Sequence, residues 1–217
     1  MEIDPAGLEQ RNRYKLLIGG IVPRPIAFVS TASQDGSDNL APFSFFAGIS
    51  SDPMSLLFCP ANTPEGGLKD TLRNIFECDD GGGTGVGAGF VVNVVSHAIA
   101  RHMAVCAEPL PHGESEFDLT GLTRAPSRRV AAPRVLQSVL SYECETMQVI
   151  RLAPGAPGGG NIVIGRVVWV HIDDRVVNEK MHIDPGALDA VGRMGGLDYC
   201  TTRDRFEMPM GVVRTGA

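Results

Sequence analysis

Residues 23–53 read PRPIAFVSTASQDGSDNLAPFSFFAGISSDP, and this stretch decides the fold that we predict for the chain. Two strand-like runs, Ile26–Thr31 and Asn39–Ile49, flank a polar turn over Ser33–Ser37. The turn contains Asp-Gly, a pair that favours hairpins between β-rich runs. The stretch therefore predicts two neighbouring antiparallel strands.

The second run contains a proline and three phenylalanines, which is unusual for a central strand. Pro42 has no backbone N–H to donate to a sheet ladder, so it predicts an edge strand or a split between strands. The aromatic residues beside it are Phe43, Phe45 and Phe46. Unpaired backbone groups beside small hydroxyls and aromatic rings suit a flat polar ligand. The same pattern also fits a barrel edge with ordinary core phenylalanines, and pattern alone favours that second interpretation.

The composition is that of a globular protein with a full core. The chain has 217 residues, of which 43% are hydrophobic and 20% charged. This length allows one large domain or two small ones. Because no linker or internal repeat divides the sequence, we expect a single domain over residues 1–217. The net charge of −6 repels phosphate backbones and disfavours nucleic acid as a partner.

The cysteines and the N-terminus predict a cytoplasmic protein. None of the five cysteines belongs to a C-x-x-C pair, so we expect reduced thiols. The acidic start MEIDPAGLEQ lacks the apolar region of a signal peptide. No apolar run approaches the ~20 residues that cross a bilayer, so we expect no membrane association.

Apolar spacing predicts the other elements, and short strands without βαβ alternation predict an antiparallel barrel. In chain order, these elements are a helix or arm over Met1–Ile21 whose Tyr14, Leu16, Leu17 and Ile18 dock on a core, a strand over Met54–Cys59, a helix over Leu68–Phe76, a strand over Phe90–Val95, a helix over His97–Cys106, and strands over Val139–Ile150 and Ile162–Ile172.

The glycine-rich stretch Asp79–Gly89 reads DDGGGTGVGAG and contains a match to G-x-G-x-x-A at Gly83, Gly85 and Ala88. A dinucleotide-binding motif of this kind needs a strand before it and a helix after it. Here a helix-like run precedes the glycines and a strand-like run follows them. We therefore reject the motif and predict a flexible surface insertion.

A series of short motifs runs in order along nearly the whole chain. They are RPIAxVST…DGxxNLAPFSFFxxxSxDP from Arg24, KDTxxN at Lys69–Asn74, FVVNVV at Phe90–Val95, GESEFDLTGL at Gly113–Leu122 and GRMGGLDY at Gly192–Tyr199. In this order they resemble the flavin reductase-like domain family, the FMN-binding split-barrel proteins. The resemblance implies a mainly β, Greek-key split barrel with a few short peripheral helices, and a homodimer.

The resemblance also implies where a flavin binds. The implied wall along the second predicted strand comprises Ser30, Thr31, Asn39, Ala41, Pro42, Ser44, Phe45 and Phe46. Lys69, Asp70 and Thr71 are implied near the phosphate and ribityl chain. If a helix begins at Leu68, these three lie in its first turn, where free N–H groups and the helix dipole favour an anion.

Two arginines are further candidates. Arg193 belongs to the late motif that packs near the flavin pocket in the family, often from the dimer partner. There it would neutralise charge on the reduced ring or on a nicotinamide nucleotide. Arg24 lies between two prolines, where it fits a surface charge or a phosphate contact near the flavin entrance.

Each candidate also has a purely structural explanation. Lys69 fits a solvated surface lysine and Asn39 a hairpin residue. Asp70 fits the carboxylate of a helix start, and Arg193 fits a surface arginine in a turn.

Other chemistries lack their motifs. His97 and His102 are five residues apart and do not share a helix face as in H-E-x-x-H, and no C-x-x-C or H-x-H predicts a metal site. No G-x-S-x-G elbow nominates a nucleophilic serine. We predict that His171 is a core or edge histidine. Glu114 and Glu116 are predicted to be solvated loop carboxylates.

The function implied by the resemblance is transfer of reducing equivalents from NADH or NADPH to bound flavin, with FMN preferred over FAD. The electron acceptor is then a small molecule or a partner monooxygenase. Two alternatives stay open: a flavin-binding electron carrier without its own nicotinamide site, and a split barrel that binds no flavin and acts as an interaction module.

Overall fold

The computed structural model describes residues 1–78 and 83–208. Its strands are β1 (Ala27–Ala32), β2 (Asp38–Phe43), β3 (Phe46–Ser51), β4 (Met54–Phe58), β5 (Gly89–Val94), β6 (Arg124–Ala125), β7 (Arg134–Val135), β8 (Leu140–Arg151), β9 (Asn161–Ile172), β10 (Val191–Arg193) and β11 (Tyr199–Thr201). Its α-helices are α1 (Gln10–Gly20), α2 (Asp70–Glu77), α3 (Ala100–Val105), α4 (Glu116–Thr120) and α5 (Pro185–Leu188).

Seven strands form one antiparallel sheet in the order β2-β1-β5-β8-β9-β4-β3, within the part of the chain that the structure describes. The remaining strands pair as two short ladders, β6 with β7 and β10 with β11. This architecture confirms the predicted mainly β fold with a few short helices.

The predicted strand Asn39–Ile49 is wrong as a single element, because it divides into β2 and β3 at opposite ends of the sheet. The edges of a flat seven-stranded sheet would lie roughly 29 Å apart. From Phe43 to Phe46 the chain reaches at most about 11 Å. The sheet must therefore curl until its two edges meet, and Ser44 and Phe45 cross the gap. This is the split of the predicted barrel.

The first hairpin follows its sequence signal. The Ser33 N–H donates to the Ser37 carbonyl at 2.8 Å, and Gly36 adopts a φ of +89°, which explains the glycine of the Asp-Gly pair. Pro42 lies on the edge strand β2 opposite Phe28, as its missing donor predicts.

Two hydrophobic cores lie on the two faces of the curled sheet. Inside the barrel, the ring of Phe58 lies 5.2 Å from that of Phe43 and 5.3 Å from that of Phe90. On the outer face, Phe28 and Leu40 pack with residues of α3 and α4. The second core thereby holds α4 beside the edge strand β2, which positions the site described below.

Other predicted bounds change in part. The helix predicted from Leu68 begins at Asp70, with Lys69 as its N-cap residue. The predicted helix His97–Cys106 is a 3-10 turn over His97–Ile99 followed by α3. The predicted N-terminal helix is present as α1, but its Tyr14, Leu16 and Leu17 remain about half exposed rather than docked on a core.

The glycine-rich stretch lies between α2 and β5, so the rejected dinucleotide motif lacks its required helix. Asp79–Gly82 lie outside the described residues. Gly85 is buried, and a Cβ there would lie 2.8 Å from a methyl of Ile75 and 3.0 Å from one of Val149. Gly87 N–H donates to the Thr146 carbonyl at 2.9 Å. The prediction of a floppy insertion is therefore wrong for residues 85–88, which pack on the barrel.

Candidate functional site

A cavity of about 490 Å³ opens between β2, the start of α2 and the segment that follows α3. We call it the α2 cavity. Six of the predicted site residues line it: Asn39, Ala41, Pro42, Lys69, Asp70 and Thr71. The structure therefore brings together two segments that lie about thirty residues apart in the sequence.

A second cavity, also of about 490 Å³, adjoins the first at Pro42 and Ala107. We call it the Arg193 cavity, because the predicted residue Arg193 lines it together with Ser44 and Pro42. Its further lining is apolar, aromatic or cationic and comes from Tyr14, Ile18, Arg24, Ile26, Met103, Leu197 and Tyr199. The two cavities share Pro42 and Ala107 in their walls at the edge of the barrel, and we refer to the pair of adjoining cavities as the trough.

Four predicted residues do not line either cavity. Ser30 and Thr31 are fully buried on β1 behind the wall; the Ser30 hydroxyl donates to the Pro133 carbonyl. Phe45 and Phe46 are half-buried at the split, and Phe46 packs against the core of the barrel. The alternation of a strand sends neighbouring side chains to opposite faces, which accounts for Ser30 and Thr31 lying away from the cavities, whereas Ala41 and Pro42 on the edge strand both line one.

A buried polar network lies behind the α2 cavity. The Thr71 hydroxyl donates to Asn39 Oδ1 at 2.7 Å, and the Asn39 amide donates to both oxygens of Glu116 at 3.2 Å. Asn74 Nδ2 donates to the Thr31 hydroxyl at 2.9 Å. The Thr71 hydroxyl is thus already committed to Asn39, so the backbone rather than this hydroxyl faces a ligand.

The start of α2 combines free donors with positive charge. The Lys69 carbonyl accepts from the N–H groups of Leu72 and Arg73, so the N–H groups of Asp70 and Thr71 precede the first intrahelical bond. The Lys69 side chain is exposed on the rim. An anion is favoured at such a helix start by these donors and by the helix dipole.

The carboxylate of Asp70 has two basic side chains beside it. Its Oδ1 lies 2.8 Å from His112 Nδ1 and 3.5 Å from Arg73 Nη1. This arrangement holds the segment after α3 against α2 and lessens the repulsion that Asp70 would exert on an anion.

Glu116 was predicted to be solvated, and this is wrong. Its side chain lies on the cavity wall at only 7% exposure, and its Oε2 accepts the Leu40 N–H at 2.7 Å. Burial raises the pKa of Glu116, although the Leu40 hydrogen bond opposes that shift. The signal in the sequence is Ser115, which caps α4 and puts Glu116 at the first position of a helix with an apolar face.

The cysteine beside this glutamate is unreactive. Cys106 is buried in the second core and lines the α2 cavity. Burial, and then the charge of Glu116, raise the pKa of the Cys106 thiol to about 12. Because the thiolate is the nucleophile, this residue contributes packing rather than chemistry.

Arg24 is buried and does not face the α2 cavity. Its guanidinium donates to the carbonyls of Ile18, Ile21 and Met194 and to the Ser44 hydroxyl. The suggested phosphate contact is therefore wrong, because these donors tie α1 and the β10–β11 hairpin to the split. Burial lowers the pKa of Arg24, and the nearby charge of Arg193 acts in the same direction.

Arg193 is held at the mouth of its cavity. Its guanidinium lies 4.4 Å from the centre of the Tyr199 ring and donates to the Gly196 carbonyl at 2.6 Å. Gly195 lies against α1, where a Cβ would be in ordinary van der Waals contact at 3.6 Å from Gly19 Cα. The late motif therefore joins α1 to the cavity.

Within residues 1–78 and 83–208, no cluster of three His, Cys, Asp or Glu residues is arranged to hold a metal ion. In the same residues, no helix has the length and apolar character required to cross a bilayer.

Comparison with known proteins places the chain in a family. Residues 19–193 match the family described as the flavin reductase like domain. An uncharacterized protein of Deinococcus radiodurans is 38% identical over 212 residues, which cover 94% of this chain and 87% of that protein. The chain belongs to the flavin reductase-like domain family, a family of flavin-binding oxidoreductases.

Solved structures agree with this assignment. The nitrilotriacetate monooxygenase component B of Bacillus cereus superposes with a TM-score of 0.86 at 30% identity, covering 96% of this chain and 98% of that one. The 2-nitrobenzoate 2-nitroreductase of Pseudomonas fluorescens superposes with a TM-score of 0.82 at 28% identity, covering 100% of both chains. Both similarities extend over nearly the whole chain.

Proposed function

We propose that this protein binds FMN in the trough and transfers reducing equivalents to it from NADH or NADPH. The observation that carries the proposal is the trough itself: an anion-binding helix start in one cavity adjoins a cationic, aromatic-lined cavity across Pro42. Each cavity lies within the range of about 300–1,000 Å³ that is typical of small-molecule sites.

The donor set fits a phosphate at one end of such a ligand. In the α2 cavity, Lys69 and the N–H groups of Asp70 and Thr71 would hold the phosphate, while Asn39 and Ala41 would border the ribityl chain. FMN carries one terminal phosphate of this kind, and the family resemblance favours it over FAD.

The other end fits a flat ring with a polar edge. In the Arg193 cavity, Ile18, Ile26 and Leu197 offer apolar contact, and Pro42 and Ser44 lie along the sheet edge. No carboxylate is among the described residues that line this cavity, whereas Arg24 and Arg193 both are. This positive environment favours electron density on the ring. When bound, the flavin supplies a hydride acceptor at N5.

Three measurements on the purified protein test the proposal. Extraction and titration with FMN, FAD and riboflavin identify the flavin, and stopped assays with NADH and NADPH identify the donor. We expect stoichiometric FMN and flavin-dependent oxidation of one nicotinamide nucleotide. Bound flavin without oxidation would indicate the electron carrier. The absence of a flavin absorption band after reconstitution with excess FMN would leave only the interaction module.

The electron acceptor is proposed to be a small molecule or a partner monooxygenase. The similar B. cereus protein is by name a component of a monooxygenase, and the similar P. fluorescens protein is by name a nitroreductase. Adding aromatic nitro compounds, ferric chelates or free flavin to the NAD(P)H assay separates these classes of acceptor.

We further propose a homodimer whose partner completes the trough. Tyr14 and Leu197 line the Arg193 cavity yet remain largely exposed, and α1 presents further exposed apolar residues beside them. If the site is shared, dilution will release flavin and dissociate the dimer together. Light scattering and flavin fluorescence on one dilution series check this; a monomer that keeps its FMN would refute the shared site.

Two broader expectations remain predictions of the same kind. The chain is proposed to act as a single domain, because one sheet and the two cores on its faces connect its described parts. A cytoplasmic location also stays a prediction, which cell fractionation tests.

A further inference from the structure

Glu116 is a carboxylate on the wall of the α2 cavity without a cation of its own. Among the residues that the structure describes, it forms no ion pair, whereas Asp70 on the same cavity lies close to His112 and Arg73. At 7% exposure, Glu116 also receives little screening from water. A buried and uncompensated carboxylate of this kind costs free energy in its charged form.

The two oxygens of Glu116 are not equivalent. Oε2 accepts the Leu40 N–H at 2.7 Å and shares the Asn39 amide at 3.2 Å. Among the hydrogen bonds from other described residues, Oε1 accepts that of the shared Asn39 amide alone, at 3.2 Å. A proton on Oε1 would therefore leave the hydrogen bond from Leu40 intact. It would also turn Oε1 from an acceptor into a donor, which an ionised carboxylate cannot be.

Charged or titratable groups surround this position from each neighbouring element. Asp38 on β2 is paired with Arg124. The others are Asp70 and Arg73 on α2, Cys106 after α3, Asp118 on α4 itself, and Lys69, Glu108 and His112 on the adjoining segments. Burial is the main cause that raises the pKa of Glu116, and the charge of Asp70 adds to it. The cations Lys69 and Arg73 lie on the cavity wall rather than in contact with Glu116.

We propose that Glu116 takes up a proton from solvent when a phosphate monoester binds in the α2 cavity. The phosphate brings a charge of roughly −1.5 to −2 into the cavity that the ionised carboxylate lines, which disfavours the charged form of that carboxylate. Protonation removes this repulsion and places a hydrogen-bond donor on the cavity wall. Glu116 is then a specificity-determining residue that couples phosphate affinity to pH. This inference rests on the proposed function, since it takes the FMN phosphate as the ligand.

Calorimetric titration of the full-length protein with FMN and with riboflavin tests the coupling. Repeating each titration in buffers of different ionisation enthalpy counts the protons taken up, from about pH 5 to about pH 9, the range that buried carboxyls cover. We expect uptake with FMN and none with riboflavin. Where Glu116 is ionised in the free protein, FMN affinity should fall about tenfold per pH unit relative to riboflavin affinity.

Three variants assign the proton. Glu116→Gln, which is neutral and similar in shape, should abolish the uptake that depends on the protein and flatten the pH dependence. His112→Gln should retain the uptake, which excludes the imidazole beside Asp70 as its source. Glu143→Gln removes a fully buried carboxylate that lines neither cavity, and should also retain it.

The outcomes separate this inference from the proposed function. If FMN binds more tightly than riboflavin but Glu116→Gln takes up as many protons as wild type, the role of Glu116 is refuted while the phosphate site stands. If FMN and riboflavin bind equally, the phosphate site and the role of Glu116 are refuted, while flavin binding and transfer of reducing equivalents still stand. If neither binds, the proposed function is refuted as well. Should Glu116→Gln not fold, the wild-type titration still decides, because absence of uptake with FMN contradicts the coupling.

Discussion

Glu116 and Glu143 are both buried carboxylates on the outer side of the barrel, and the chain holds them in opposite ways. Glu143 on β8 is fully buried and accepts backbone N–H groups from Arg128 at 2.7 Å and Arg129 at 2.6 Å. Val130 N–H donates to Glu143 Oε2 at 3.3 Å, and His171 Nε2 lies 2.5 Å from Glu143 Oε1. Glu116 accepts the Leu40 N–H and a shared amide from Asn39, and its own backbone N–H adds a weaker contact.

The difference in donors decides the sign of each pKa shift. For Glu143, burial by itself raises the pKa, but the hydrogen bonds from Arg128, His171 and Arg129 outweigh it and the pKa is lowered. For Glu116, burial prevails and the pKa is raised. A carboxylate that only holds a loop is fully satisfied in its charged form. The carboxylate on the cavity can still accept further hydrogen bonds, so it can interact with a ligand or bind a proton.

The largest expected loss of the free energy of unfolding comes from removing the Glu143 carboxylate, which accepts more hydrogen bonds than that of Glu116. Glu143→Ala leaves three backbone N–H groups and His171 without their acceptor, so we expect a loss of about 3–5 kcal/mol of the free energy of unfolding. Glu116→Ala leaves fewer donors without an acceptor, so it should lower the free energy of unfolding by about 1–3 kcal/mol. Urea unfolding of both variants measures the difference. Equal losses would contradict the contrast between the two sites.

Removing a cation from the cavity that Glu116 lines should change the affinity for flavin rather than the free energy of unfolding. Lys69→Ala removes one charge-assisted contact and should weaken FMN by roughly 1.5–3 kcal/mol while changing riboflavin little. Fluorescence titration with both flavins tests this, and Lys180→Ala, a change at an exposed lysine outside both cavities, is the matched control. Equal losses for FMN and riboflavin would mean that Lys69 does not contact the phosphate.

The smallest effect is in the pH dependence of stability, and its sign differs between the two residues. The lowered pKa of Glu143 gives stability that is present above the unfolded pKa of about 4.3 and is lost as pH falls through the folded value. The raised pKa of Glu116 gives stability that is present below about 4.3 and is lost as pH rises through the folded value.

Urea unfolding of wild type, Glu143→Gln and Glu116→Gln at a series of pH values reveals these signs. The loss of free energy of unfolding caused by Glu143→Gln, relative to wild type, should decrease as pH falls. The loss caused by Glu116→Gln should decrease as pH rises. Each change is at most about 1.4 kcal/mol per pH unit for one proton. Parallel curves for the two variants would refute the assignment.

The features that the sequence predicts well are local. The β1–β2 hairpin depends on Asp35-Gly36 and on alternation, and both signals lie within a few residues. The start of α2 is displaced only from Leu68 to Asp70, because apolar spacing and N-terminal chemistry act within one turn. The order of the family motifs predicted the class of protein, which the family match confirms.

The features that the sequence does not predict depend on contacts between distant residues. No turn signal marks the break at Ser44 and Phe45; the break exists because β2 pairs with β1 while β3 pairs with β4 at the far edge. Glu116 resembles any loop carboxylate until the outer core sets α4 against β2. Arg24 resembles a surface charge until carbonyls at residues 18, 21 and 194 take up its donors.

The sequence by itself determined most of the long strands, the position of α2 and the family, since these follow from residue type and short spacing. Only the tertiary structure decided which side chains face the trough, because the curl of the sheet selects one face of each strand. It also decided the direction in which the pKa of each of the two glutamates is shifted, since a pKa depends on burial and on donors contributed by other segments. Hydrogen bonding and desolvation over long sequence separations are the physical reason that these properties cannot be read from the chain alone.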